Sequence, residues 1–185
     1  MPVNSKDLEP FNLFNKNSMT ISKRISLVII VLITCVSCDQ SSKSVAESFL
    51  SDAGAFSFLG DSLRLQLAHN TGAFLSFGAT LPVELRTGLF SAGVGLMLLA
   101  LLAYLLFSKS LSGLELVALS LLLAGGVGNL IDRIFLGYVV DFINIGIGSL
   151  RTGIFNVADI AVSAGALILM FDAFGKQKHI GSKPA

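Results

Sequence analysis

Four long apolar runs divide the chain, and polar or mixed stretches separate them. The first covers residues 25–38 (ISLVIIVLITCVSC) and is followed by Asp39-Gln40-Ser41-Ser42-Lys43. Carried on to about Val45, it reaches the roughly 20 residues that a bilayer-spanning helix needs, which puts Asp39 inside the membrane near one edge. The second run follows Pro82 and covers about residues 85–107. The third, about 114–131, ends in Gly125-Gly126-Val127-Gly128-Asn129, and the fourth covers about 155–174. Between the first and second runs, Leu63, Leu65 and Leu67 alternate with Ser62, Arg64 and Gln66. That is the period of a half-buried strand. His69-Asn70-Thr71-Gly72-Ala73-Phe74 then reads as a turn-like interruption. Residues 134–154 form a second mixed segment, with Asp141 and Arg151. The pattern predicts a disordered arm over 1–24, one four-helix membrane domain over 25–175, and a tail over 176–185.

Composition bears out the lipid reading. Of 185 residues, 53% are hydrophobic and only 14% charged, against roughly 25% charged in an ordinary soluble domain. The mean hydropathy is +0.78. A soluble protein of this size has no means of covering so much apolar surface. The net charge of +1 leaves no nucleic-acid footprint. No His/Cys cluster has metal-ligand spacing, so no cofactor is expected. Cys35 and Cys38 fall in the first span, where small apolar packing is the ordinary role.

Lys and Arg near the span ends orient the chain. With four spans, Lys23, Arg24, Lys109, Lys176 and Lys178 share one side. That side is then the cytoplasm, with both termini in it; the outer segments, 46–84 and 134–154, still carry Arg64 and Arg151. Asp39 lies near the outer end of the first span, Asp132 at the outer end of the third, and Asp159 about one turn into the fourth. All three carboxyls are expected at one depth, near the outer face.

Two stretches echo each other there: Asn129-Leu130-Ile131-Asp132, followed by Arg133, and Asn156-Val157-Ala158-Asp159. On a helix, residues at i and i+3 share a face, so each stretch sets an amide beside a carboxyl. Ionisable groups at membrane depth are functional by default. Two carboxyls in one site share protons unequally. One then takes a proton from water while the other donates to a carbonyl oxygen, as amide hydrolysis requires. Plainer roles stand beside this one. Asn156 and Asp159 suit a helix start, Asp132 suits an ion pair with Arg133 or another base, and Asp39 suits an i,i+4 pair with Lys43. Arg133 reads equally as a partner for Asp141 or an interfacial anchor. The glycines 125, 126 and 128 read as close helix packing, and His69 as interfacial.

Five pieces, in order over about residues 25–175, together resemble the lipoprotein signal peptidase (signal peptidase II) family of bacterial membrane aspartic peptidases. They are Asp39-Gln40-Ser41-Ser42-Lys43, Asn70-Thr71-Gly72-Ala73-Phe74, Gly125 through Arg133, Val140-Asp141-Phe142, and Phe155-Asn156-Val157-Ala158-Asp159. The resemblance implies Asp132 and Asp159 as the catalytic dyad. It implies Asp39, Asn70, Asn129, Arg133, Asn156 and Ala158 as supporting or substrate-binding positions. It further implies four transmembrane helices, a small extracytoplasmic β-cradle, a short outer helix and no metal. The implied substrate is a diacylglyceryl-modified prolipoprotein, cut before the lipidated cysteine in the bacterial inner membrane. A monomer surrounded by membrane lipid is expected. The family usually has two alanines before the phenylalanine of the second piece, whereas here Ala73 alone precedes Phe74.

Two rival readings remain in view. A transporter or proton-relay subunit also carries carboxyls in its spans, but more naturally near the midplane with broken helices. A tethered lipoprotein would use Lys23-Arg24, the first apolar run and Cys35 as a signal peptide, but leaves three later spans unexplained.

Overall fold

The computed structural model describes residues 19–52, 54–71, 82–108 and 110–181. Four helices carry the bulk of it: α1 (Ile21–Leu50), α2 (Val83–Phe107), α3 (Gly113–Phe135) and α4 (Val157–Gly181). α1, α3 and α4 are long and apolar enough to cross a membrane, and Ser91–Phe107 of α2 forms a shorter apolar stretch. α3 sits centrally and packs against each of the other three. Val28, Leu98, Leu105, Leu116 and Leu123 form the core between α1, α2 and α3. Outward-facing Ile30, Ile33, Leu96, Leu99 and Phe171 stay exposed, as lipid-facing positions do.

The helix boundaries follow local chemistry. α2 begins directly after Pro82, whose fixed φ suits a helix entrance. α3 opens with a reciprocal capping box: Glu115 N donates to Ser112 Oγ at 3.2 Å, and Ser112 N donates to Glu115 Oε2 at 2.7 Å. α1 has 30 residues, about 45 Å at 1.5 Å per residue, longer than the ~30 Å hydrocarbon core. It continues through Asp39 and Lys43 because these two charges are buried against each other at 2.8 Å.

The glycines of α3 let three neighbours approach on three sides. A Cβ at Gly125 would strike Ala158 O and Val162 of α4; one at Gly126 would come within 2.5 Å of Leu98 of α2. At Gly128 it would come within 2.6 Å of the Asp39 carboxylate. Close packing accounts for the first two, while the third makes room for a polar group.

Beyond one end of the bundle lies a four-stranded antiparallel sheet in the order β1 (Phe56–Phe58), β2 (Leu63–Asn70), β3 (Val139–Ile147), β4 (Leu150–Arg151). The alternating leucines form β2 as expected. Leu63 pairs with Ile145 and Leu65 with Ile143; after an irregularity, Ala68 pairs with Asp141 and Asn70 with Val139. Paired residues share a face, so Asn70 and Asp141 lie on the same side of the sheet. Ala46 and Leu50 of α1 pack with Phe142 beneath it.

The element edges refine the expected bounds. α1 begins at Ile21, and Arg24 is buried because its guanidinium caps the end of α2. The apolar part of α4, Val157–Lys176, agrees with the expected fourth run, and the helix itself continues to Gly181. Residues 1–18 of the expected arm lie outside the described residues. Among the described residues no short outer helix is present, and two strands follow α3. The motif residues Gly72, Ala73 and Phe74 lie outside the described residues, as does Lys109.

Candidate active site

Asp39 and Asp132 are 1% and 3% exposed, and Lys43 holds both: its Nζ lies 2.8 Å from Asp39 Oδ2 and 2.9 Å from Asp132 Oδ2. A buried cation between two carboxylates offsets much of their desolvation. Gln40 adds donors to both, at 3.2 Å to Asp39 Oδ2 and 2.9 Å to Asp132 Oδ1. The i,i+4 pair read from the sequence is therefore present, as part of a larger cluster.

Each of these carboxylates also takes one backbone N–H from a distant element. Val140 N donates to Asp132 Oδ2 at 3.0 Å, and Ala158 N donates to Asp39 Oδ1 at 2.8 Å. Val140 immediately precedes Asp141, and Ala158 immediately precedes Asp159. The Lys43 cluster thus pins the backbone just before two further carboxyls, one on β3 and one in the first turn of α4.

Those two carboxyls meet around Asn156, which is fully buried. Asn156 Nδ2 donates to Asp141 Oδ1 at 2.7 Å, while Asn156 N donates to Asp159 Oδ2 at 3.1 Å. Asp159 N donates back to Asn156 Oδ1 at 3.0 Å. The helix-start reading is therefore correct in geometry, and it fixes Asp159 at the mouth of α4. Asn70 Nδ2 reaches Asp141 Oδ2 at 3.0 Å across the β2–β3 ladder. Burial pushes the Asp141 carboxyl above the usual carboxylate range, and the charge of Asp159 pushes the same way, against the hydrogen bonds from Asn70 and Asn156.

Asn129 joins the two clusters. Its Oδ1 accepts from Lys43 Nζ and from Asn156 Nδ2, both at 3.0 Å, and its Nδ2 donates to Asp159 Oδ1 at 2.8 Å. The cation thereby fixes which way this amide faces. The carboxyls read from the sequence at one depth do converge in one network.

The pairing inside that network differs from expectation. Asp132 was expected to face Asp159, but its bonds go to Lys43, Gln40 and Val140 N. The carboxyl that feels the Asp159 charge is Asp141, which the sequence offers as a partner for Arg133 and within the Val140-Asp141-Phe142 piece, without a catalytic role. Arg133 instead donates from Nη1 to Asn129 O at 3.1 Å, one turn back along α3. Ala158 contributes its backbone N–H and a small side chain, 2% exposed. Lys43 and Gln40 are central, and their spacing from Asp39 was the signal available for them. His69 packs against Tyr138 with ring centroids 4.2 Å apart and the rings tilted by 31°. Asp159 alone of the four carboxyls is half-exposed. Among the described residues, no three His, Cys, Asp or Glu side chains are grouped to hold a metal ion.

Comparison with known proteins supplies independent information. The family model described as signal peptidase (SPase) II matches residues 27–175. A lipoprotein signal peptidase of Sulfurihydrogenibium sp. is 36% identical over 159 residues, covering 84% of this chain and 93% of that protein. One of Syntrophus aciditrophicus is 42% identical over 111 residues, covering 60% of this chain and 68% of that protein. Among solved structures, a bacterial membrane enzyme superposes with a TM-score of 0.69 at 25% identity, covering 91% of this chain and 97% of its own.

Proposed function

The chain belongs to the signal peptidase II family, and from that premise we propose how it works as a lipoprotein signal peptidase: an aspartic endopeptidase whose reacting pair is Asp141 and Asp159. The family's activity makes it a membrane protease that removes signal peptides from prolipoproteins. The comparisons lend no support to the transporter alternative. The observation that carries the choice of pair is Asn156, which donates to both carboxyls while Asp132 is taken up by Lys43.

The chemistry needs one proton-bearing and one proton-free carboxyl. Asp141, with its raised proton affinity, holds the proton. The substrate's peptide carbonyl accepts a hydrogen bond from it. Asp159, open to solvent on one side, takes a proton from water as the water oxygen bonds to the carbonyl carbon. Asp159 then passes that proton to the nitrogen of the tetrahedral adduct, the C–N bond breaks, the signal peptide leaves as a carboxylic acid and the cysteine is left with a free amine, with Asp141 still protonated. Asn129 and Asn156 keep the carboxyls in register throughout. Asp39, Asp132 and Lys43 act on the backbone that carries the pair, and Asn70 tunes Asp141. Arg133 braces α3, and Ala158 admits the Asp39 contact.

The substrate is a diacylglyceryl-modified precursor cut before its lipidated cysteine. Its acyl chains lie in lipid between helices while the scissile bond sits at the level of Asp159. Burial of acyl chains contributes about 0.8 kcal/mol per methylene, so lipidation dominates affinity. Four helices cross the bacterial cytoplasmic membrane, both termini are cytoplasmic, and the site lies near the extracytoplasmic face of a monomer. Cleavage assays on paired precursors test this: the purified protein should cut the diacylated form and cut the unlipidated form poorly, mainly through KM. Equal KM for both would remove the lipid from the account. Chelators should leave turnover unchanged; loss restored by zinc would contradict the two-carboxyl mechanism.

A further inference from the structure

At the end of the bundle opposite the aspartates, residues at the ends of α1, α2 and α3 line a half-open cavity of about 360 Å³. Arg24 is separated from Asp39 by fifteen residues of α1, about 22 Å of helix, so this cavity and the aspartate network are separate places. Met19, Ile21, Leu106, Phe107, Leu111 and Leu116 line it, and Arg24 is its charged wall.

Arg24 is 8% exposed. Its Nη2 donates to Leu105 O at 2.7 Å and its Nη1 to Ser108 O, carbonyls at the end of α2. A cation is welcome at a helix C-terminus, but carbonyl dipoles carry only partial charge. Among the described residues no carboxylate pairs with Arg24. Among the described residues, the acidic groups at this end are spoken for: Glu115 and Asp172 both bind Lys176, at 2.7 and 2.5 Å. A buried cation partnered only by dipoles is costly to desolvate. The cavity beside it is apolar. Together they fit an amphiphile with one anionic head and a hydrocarbon body, and basic pockets between membrane helices take such headgroups.

We propose that this cavity binds an anionic phospholipid of the leaflet opposite the active site. Its phosphodiester lies against Arg24, and the start of an acyl chain lies against Leu106, Phe107 and Leu111. The lipid supplies the full negative charge that α2 alone does not and ties the ends of three helices together. The catalytic assignment plays no part in this inference.

Native mass spectrometry of the full-length protein in neutral detergent tests it, with phosphatidylglycerol, phosphatidylcholine and inorganic phosphate as probes. The wild type should hold one phosphatidylglycerol about five- to tenfold more tightly than phosphatidylcholine, as one basic contact allows. Arg24→Gln should erase that preference. Leu111→Trp fills the cavity while leaving the guanidinium and its carbonyl partners in place, and should erase it too. If Arg24→Gln does not fold, Leu111→Trp decides the matter. No headgroup preference in the wild type, or one unchanged in Leu111→Trp, would overturn the proposal. Displacement of the lipid by millimolar phosphate would assign a free anion instead and overturn it equally.

Discussion

Asp39 and Asp132 do the same work at two places: each accepts the backbone N–H that precedes another aspartate, and Lys43 balances both. The repeated Asn-x-x-Asp pattern therefore hides two different jobs. In α4 it is a helix-start box that presents Asp159. At the end of α3 its amide turns to Asp159 while its carboxyl turns to Lys43. Spacing showed that each amide lay beside a carboxyl, but not which distant group each would meet. Asp141 lacks an Asn three residues before it; its amides, Asn70 and Asn156, come from β2 and the start of α4, so only the fold shows the pairing. Two predictions belong here. Asp39→Asn should weaken the Lys43 cluster, lowering thermal stability or substrate affinity more than the single-turnover step. An Asp39→Asn variant as stable as wild type yet inactive at saturating substrate would put Asp39 in the chemistry. The second concerns pH. Burial raises the proton affinity of Asp141, so its proton is kept to a higher pH than the ~3.9 of an ordinary aspartate. The alkaline limb of kcat/KM should lie above that value. Asn70 stabilises the ionised form, so Asn70→Ala should move the limb further up. A downward shift, or none, would separate the limb from Asp141.

Among the elements, the long apolar helices and β2 were legible because their periods are strong over many residues. β3 was not. Its first four residues, Val139 through Phe142, are all buried, so no alternation marks it as a strand. It is defined by pairing with β2, far away in the chain. The start of α1 at Ile21 was not legible for a related reason: Arg24 looks like a solvated charge until the end of α2 is seen against it. The α3 glycines give a prediction at this scale. An added Cβ at Gly125 meets backbone of α4, whereas at Gly126 it meets only the methyls and branch carbon of Leu98. Gly125→Ala should therefore cost about 1–3 kcal/mol, the usual range for overpacking, and Gly126→Ala less. Thermal unfolding in detergent would check the order; equal or reversed losses would contradict the packing described.

For the whole molecule, three helices are apolar enough to cross a membrane, and the sheet lies at the end of the bundle where the aspartate network sits. The hydropathy pattern expects three of those carboxyls at one membrane depth. The molecule's orientation rests on the distribution of Lys and Arg. A reporter fused after Lys178 should read as cytoplasmic and one inserted near Gly54 as external; the reverse pattern would turn the site to the wrong side for secreted precursors.

The most direct test compares three isosteric variants in single-turnover cleavage of a diacylated prolipoprotein, beside unfolding curves for each. Asp141→Asn and Asp159→Asn should insert and fold yet lose cleavage by about 10²–10⁴-fold, the usual share of positioned acid–base groups. Asp132→Asn should lose stability while retaining a measurable chemical step. Near wild-type cleavage by Asp141→Asn, with Asp132→Asn stable but inactive, would return the catalytic role to Asp132 and contradict the pairing proposed for this site.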